Sequence, residues 1–216
     1  MFAPWIALLP CFAALLVLWL LLKIAGGSAF KGWLGERMVS RLALKRLDPA
    51  LYQTFGDIYL PRPDGKGTTQ VDHIVVSKFG IFVIETKNYK GWIFGNEKQP
   101  QWTQQIYKAK HRFQNPIQQN LLHVKALVQF LGLPDHHFHP VVMFIGDSQF
   151  KTPMPSNVLN RGLLPWITNH TATLLDPAAV QQANARLDEL HRATDRKAAA
   201  RDHVAMGKAR IVAKPA

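Results

Sequence analysis

Ile81-Phe82-Val83-Ile84-Glu85-Thr86-Lys87 is the most informative segment of the chain. Four apolar residues run without a break and then meet a carboxylate and an amine two positions apart. A short apolar run bounded by a turn reads as a buried strand. Upstream, Thr69-Gln70-Val71-Asp72-His73-Ile74-Val75-Val76-Ser77 is a second strand, and Lys78-Phe79-Gly80 is a tight turn between the two. Strand side chains alternate, so Glu85 and Lys87 project from one face and Thr86 from the other. Pairing the strands through the turn brings Asp72 and Glu85 to the same open end of the hairpin.

Two carboxylates converging beside a lysine repel one another unless a cation joins them. A hard divalent ion, Mg²⁺ or Mn²⁺, takes oxygen ligands and resolves the repulsion. Lys87 would then orient a water for attack on phosphorus, with the ion sharing the charge that develops. The competing reading is a wet strand face, where Glu-x-Lys is ordinary solvent decoration. Two features weigh against it. Glu85 sits where an apolar strand ends, and Asp72 interrupts Val71, Ile74, Val75 and Val76, where an unpaired carboxylate is costly.

Around this hairpin the chain reads as a compact α/β domain. Leu34, Met38, Leu42 and Leu47 form a helical stripe over Gly32 to Leu47, ended by Asp48-Pro49. A strand is expected from Gln53 to Leu60, followed by a turn over Pro61 to Gly67, where Pro fixes φ and Gly permits positive φ. Asn88 to Trp102 reads as a shorter strand or loop excursion punctuated by Gly91 and Gly95. Gln114 to Leu131 is a helix with Pro116 in its first turn. Val141 to Ile145 is a buried strand, and Leu163 to Ile167 one more short strand. Ala178 to about Val204 is a polar, Ala-rich helix, and Gly207 to Ala216 a basic tail. The order is helix, strand, strand, strand, helix, strand.

The 216 residues suit one domain with an added helix or tail, and 48% hydrophobic against 19% charged residues excludes a wholly disordered chain. Lys+Arg 26 against Asp+Glu 14 leaves +12, which suggests a polyanionic partner, nucleic acid or an anionic leaflet. The lone Cys11 excludes an intramolecular disulfide and a cysteine-cluster zinc site. From Phe2 to Leu22 no residue is charged, and at about 1.5 Å per residue such a run crosses a ~30 Å hydrocarbon layer. Trp5 and Trp19 lie toward its ends, and no basic residue precedes it as a cleaved signal peptide requires. Lys23, Lys31, Arg37, Arg41, Lys45 and Arg46 all follow the run, so the bulk of the chain is expected on the cytoplasmic side with the N-terminus outside. The expected organisation is a transmembrane anchor over 1–24, a linker over 25–31, a core over 32–150, an extension with a helix over 151–206 and the tail over 207–216. A phospholipid membrane is thus one expected partner.

The residues quoted so far, joined to Gly35-Glu36 upstream and to Asn88-Tyr89-x-Gly91, Trp102 and Asn115-Pro116-x-x-Gln119-x-x-x-His123 downstream, resemble the NERD (nuclease-related) domain over roughly 32–150. That family belongs to the PD-(D/E)xK nuclease superfamily. The resemblance implies a restriction-endonuclease-like α/β core, αβββαβ, with a mixed central sheet flanked by helices. It implies Asp72 and Glu85 as metal ligands with the Thr86 backbone carbonyl completing the shell, and Lys87 as the residue positioning the water. Glu36 would be an additional ligand or base, and Gln70 would contact substrate or water. Gln119 would contact DNA or the site; without the family it is a polar position beside Gln118 and Asn120. The expected setting is a bacterial inner (cytoplasmic) membrane, crossed once. The resemblance implies DNA as substrate, with RNA an open alternative, and a homodimer is a further expected state because many nucleases of this fold cut as dimers.

Lys90, Lys98, Lys108, Lys110 and Arg112, interleaved with Trp92, Phe94 and Trp102, are types that contact phosphates and stack on bases, although a basic solvated face over core aromatics explains them as well. His136-His137-x-His139 resembles a metal cluster but lies in a Pro-flanked loop without a spaced second pair. His73 points away from Asp72 and reads as structural. No phosphate-binding Gly-rich loop, Gly-x-Ser-x-Gly or Cys–His nucleophile is present. Two functions therefore stay open: a membrane-tethered Mg²⁺-dependent nuclease, and a non-catalytic module of the same fold that docks nucleic acid or a partner.

Overall fold

In the computed structural model the described residues are Val39 and 43–212. The apolar N-terminal run, the linker, Glu36 and most of the first helical stripe fall outside them. Among the described residues no helix is long and apolar enough to cross a membrane.

The apolar runs become the strands of a five-stranded mixed sheet in the order β1-β2-β3-β7-β9. β1 (Gln53–Pro61), β2 (Thr68–Ser77) and β3 (Gly80–Asn88) form an antiparallel meander, and β7 (Phe138–Ile145) and β9 (Val158–Leu159) add in parallel. Helix α1 (Pro116–Leu131) makes the crossover into β7 and covers one face, packing Val124, Leu127 and Leu131 on Ile74, Val76, Ile81 and Val83. Val75, Phe82 and Ile84 face the other way, onto Val39, Leu44 and Leu47 at the N-terminal side. The two-faced burial of Ile81–Ile84, all at 0% exposure, is what a strand sandwiched between helices requires.

One irregularity shapes the site. On β1 the residues facing α1 pass from Phe55 to Ile58 and Leu60, and on β2 from Val76 and Ile74 to Val71. The period of two therefore slips once on each strand, across Asp57 and Asp72. Asp57 has φ 55, a left-handed conformation that L residues other than Asn and Asp seldom adopt. Such a residue turns the strand over, so the side chains beyond it change faces.

The excursion after β3 is a second, four-stranded sheet in the order β6-β5-β4-β8. β4 (Gly91–Phe94) and β5 (Gln101–Ile106) replace the single short strand expected there, β6 (Ala109–Gln114) follows through a turn at Tyr107, and β8 (Ser148–Phe150) pairs with β4 in parallel. Trp102, Ile93 and Phe144 form its core, with the Trp102 and Phe144 rings stacked at 6.1 Å.

Two further expectations are corrected. Leu163–Thr168 is a helix, α2, not a strand. Leu163 and Ile167, four apart, are its buried pair, a spacing that a five-residue apolar run does not distinguish from strand burial. The C-terminal helix is two, α3 (Pro177–Ala193) and α4 (Arg196–Val212). Thr194 is extended, and Asp195 Oδ1 accepts the Lys197 and Ala198 amides as the cap of the second helix. α4 runs to Val212, so the segment expected as a tail after 206 is helical in its first half.

Candidate active site

β2 and β3 part at the end of the apolar run. Their pairing stops at His73↔Ile84, after which β3 continues along β7 and β2 along β1. Asp72 sits at the mouth so formed, close enough for its charge to act on Lys87. Asp72 Oδ2 accepts the Thr86 amide at 2.7 Å, in the place a ladder partner would have taken.

Glu85 is 2% exposed, a burial that a carboxylate tolerates only when fully partnered. Lys87 Nζ donates to its Oε1 at 2.6 Å, and His123 Nε2 lies 3.0 Å from its Oε2. An ionised carboxylate only accepts, so the His123 proton is on Nε2. His123 Nδ1 in turn lies 2.8 Å from Thr69 Oγ1. Lys87 also donates to Gln119 Oε1 at 3.0 Å. Burial pushes the Glu85 carboxyl upward, but the Lys87 ammonium and the His123 hydrogen bond outweigh it and hold the group below the usual carboxylate range. Burial likewise depresses Lys87, and Glu85 with Asp72 more than reverses that, so the ammonium is held more tightly than usual. The Tyr89 phenol is raised by burial, with the Lys87 charge opposing.

Helix α1 supplies the opposite wall. Asn115 caps it, accepting the Ile117 amide while its Nδ2 donates to the carbonyls of Asn96, Glu97 and Gln99. Asn120 Nδ2 donates to Val83 O and Val141 O, tying the helix to β3 and β7. With that anchor set, Gln119 and His123, four apart on one face, meet Lys87 and Glu85.

Thus Asp72, Glu85, Thr86, Lys87 and Gln119 come together as one cluster. Gln70, two residues before Asp72, donates its amide to Asp57 Oδ1 at 2.9 Å. Lys90, Lys108, Lys110 and Arg112 are exposed, and they lie on or beside the second sheet. Glu36 lies outside the described residues. His136 and His137 sit in a single helical turn, while His139 bonds Phe79 O and packs on His170. Among the described residues no three His, Cys, Asp or Glu are grouped to hold a metal ion. The roles of His123 and Thr69 were not foreseen. The available signal was a histidine on the inward stripe with Asn120, Val124 and Leu127, where an apolar residue is the norm.

A strand ending in a buried carboxylate–lysine pair, faced by an aspartate and roofed by a glutamine helix, agrees with the model of the nuclease-related domain, which matches residues 31–145. The chain belongs to the NERD family. Within the nuclease-related domain lie β1–β7 and α1, hence every residue of the cluster. The chain is also similar to an uncharacterized protein of Bacillus anthracis, 48% identical over 98 residues, a stretch covering 45% of this chain and 45% of that protein. The match therefore spans less than half of that relative's length. No solved structure matches.

Proposed function

We propose that this nuclease-related domain hydrolyses phosphodiester bonds of DNA with a divalent cation, at a membrane to which the apolar run Phe2–Leu22 tethers it. The buried Glu85–Lys87 pair at 2.6 Å carries the reading, because so desolvated a pair at a strand end is costly unless used. The donor set suits Mg²⁺ or Mn²⁺. Asp72 and Glu85 offer oxygen alone, the two hydrogen bonds to Glu85 use two of its roughly four lone-pair directions, and Mg²⁺ keeps several waters beside one or two carboxylates. Held by Asp72, Glu85 and the Thr86 carbonyl, the ion would supply charge neutralisation at the scissile phosphate.

The chain's own residues do the rest. Lys87 donates toward the attacking water and the phosphate oxygens, and Gln119, which accepts a second hydrogen bond from the ammonium, fixes its direction. His123 holds Glu85 in one rotamer. The N-terminal charge asymmetry favours a cytoplasmic domain in a bacterial inner membrane, and a homodimer would allow both strands to be cut.

A second reading has its own observation. Both Glu85 oxygens already bear a cationic or ring N–H partner, and no third carboxylate joins them among the described residues. That favours a non-catalytic module docking nucleic acid or a partner. Incubating the full-length chain in detergent with supercoiled, linear and single-stranded DNA and with RNA decides between them. Cleavage that needs Mg²⁺ or Mn²⁺, stops with EDTA and is lost in Glu85→Ala and Lys87→Ala supports the nuclease. Binding without cleavage supports the module.

A further inference from the structure

The second sheet has one face turned to its own core and one turned outward. Ile93 and Trp102 are buried at 0% exposure, so their neighbours Trp92, Phe94 and Thr103 take the outer side. The strand register sets these in two rows. One is Gln149–Trp92–Gln105–Lys110, and the other is Phe94–Thr103–Arg112. Two adjoining hollows of about 400 and 600 Å³ lie along the rows and share Gln105. Trp92 is 46% exposed, and Tyr107, at the tip of the β5–β6 hairpin, is 94% exposed. Lys151 Nζ stands 4.8 Å from the centre of the Trp92 ring. Of the residues lining the two hollows only Asp147 is acidic, against Lys90, Lys110 and Arg112.

We propose that this outer face is a docking platform for single-stranded nucleic acid, with Trp92 stacking a base and Lys110 and Arg112 holding phosphates. An exposed indole ring has little to offer a duplex, whose base faces are already stacked, whereas an unpaired base stacks on it whatever its sequence. The cations of β6 lie two strand spacings from Trp92, roughly 10 Å, within reach of a backbone whose base sits on the ring. Gln105 and Gln149 beside the ring offer amides to base edges. β4 starts at Gly91, directly after the strand that carries Glu85 and Lys87, so the platform is built on the chain that leaves the site. This inference deepens the nuclease reading and rests on it for the fate of the bound strand, but binding is measured apart from cleavage.

The test uses the full-length chain in detergent with EDTA, fluorescein-labelled oligo-dT and oligo-U of about 12 nucleotides, and a duplex of equal length, followed by anisotropy across a salt series. Single strands are expected to bind about tenfold more tightly than the duplex, and Trp92→Ala to remove about that factor with the salt slope unchanged. Trp92→Phe should recover most of the affinity. Lys110→Ala with Arg112→Ala should flatten the slope by about 1.4, near 0.7 for each lost phosphate contact on a single strand. Equal or tighter duplex binding, or full affinity in Trp92→Ala, overturns the platform. So does association with phosphatidylglycerol vesicles in place of oligonucleotide. If the single strand binds as expected but Mg²⁺ never yields cleavage, the nuclease reading fails and the platform stands. Cleavage of duplex DNA with no contribution from Trp92 has the opposite meaning.

Discussion

Replacing Lys87 with methionine keeps the length of the side chain and removes the charge that neutralises Glu85. Glu85 is 2% exposed and has two partners, so the variant leaves a buried carboxylate with His123 alone. Breaking one side of a buried pair costs about 3–5 kcal/mol, and the surviving bond places this case near 3. The variant has an escape, which is to take up a proton on folding. From the ordinary value of 4.5, that uptake costs about 4 kcal/mol at about pH 7.5 but only ~1.4 at about pH 5.5. The expected loss is therefore about 3 kcal/mol at the higher pH and about 1 at the lower. The signs are opposite in the two proteins. In the parent, the Glu85 pKa is depressed, so its contribution is present above the unfolded value and is lost as pH falls through the folded one. In Lys87→Met, burial is left to dominate and the folded pKa rises above the unfolded one, so stability declines as pH increases. Urea unfolding of both chains at the two pH values, followed by circular dichroism, measures this. An equal loss at both pH values would falsify the claim that Glu85 is a desolvated, charge-dependent carboxylate.

Three other perturbations probe the supports. Gln119→Leu should leave stability nearly intact, because Gln119 is only half-buried, and slow metal-dependent cleavage about tenfold by freeing Lys87; an unchanged rate removes Gln119 from the site. Asn115→Ala deletes a helix cap and leaves three carbonyls without their donor, so a loss of about 2–3 kcal/mol in urea unfolding is expected, and a loss near zero would contradict the capping role. A Cβ on Gly95 falls inside the buried Trp102 indole, so Gly95→Ala should cost about 3 kcal/mol and shift the tryptophan emission; a variant as stable as the parent would refute the packing of the second sheet.

Much of the central sheet follows from local pattern. The run Ile81–Ile84, the turn before it and the alternating β2 leave little choice but a buried hairpin, and Asp72, Glu85 and Lys87 sit at its end by counting residues. Proline at the start of α1 and Gly132 in the left-handed region at its end mark that helix equally well. Where patterns are short or two-sided, they do not discriminate. Leu163–Ile167 fits a strand as well as a helical turn, and β5 and β6 carry no strong period because polar residues, Gln104 and His111, also take positions on the inner face with Ile93 and Trp102.

Which residues meet at the end of the hairpin is legible in the sequence alone, since spacing along one hairpin is a local property of strands with period two. What those residues touch depends on how distant elements pack. His123 reaches Glu85 across 38 positions and Gln119 reaches Lys87 across 32, because Asn120 pins α1 onto two strands that are not neighbours in sequence. The slip of the face pattern on β2 across Asp72 puts Thr69 on the same side as Val71, toward α1, where its hydroxyl meets His123. Such contacts depend on how separate elements pack, a nonlocal balance of burial and hydrogen bonding that no periodicity within a single element records.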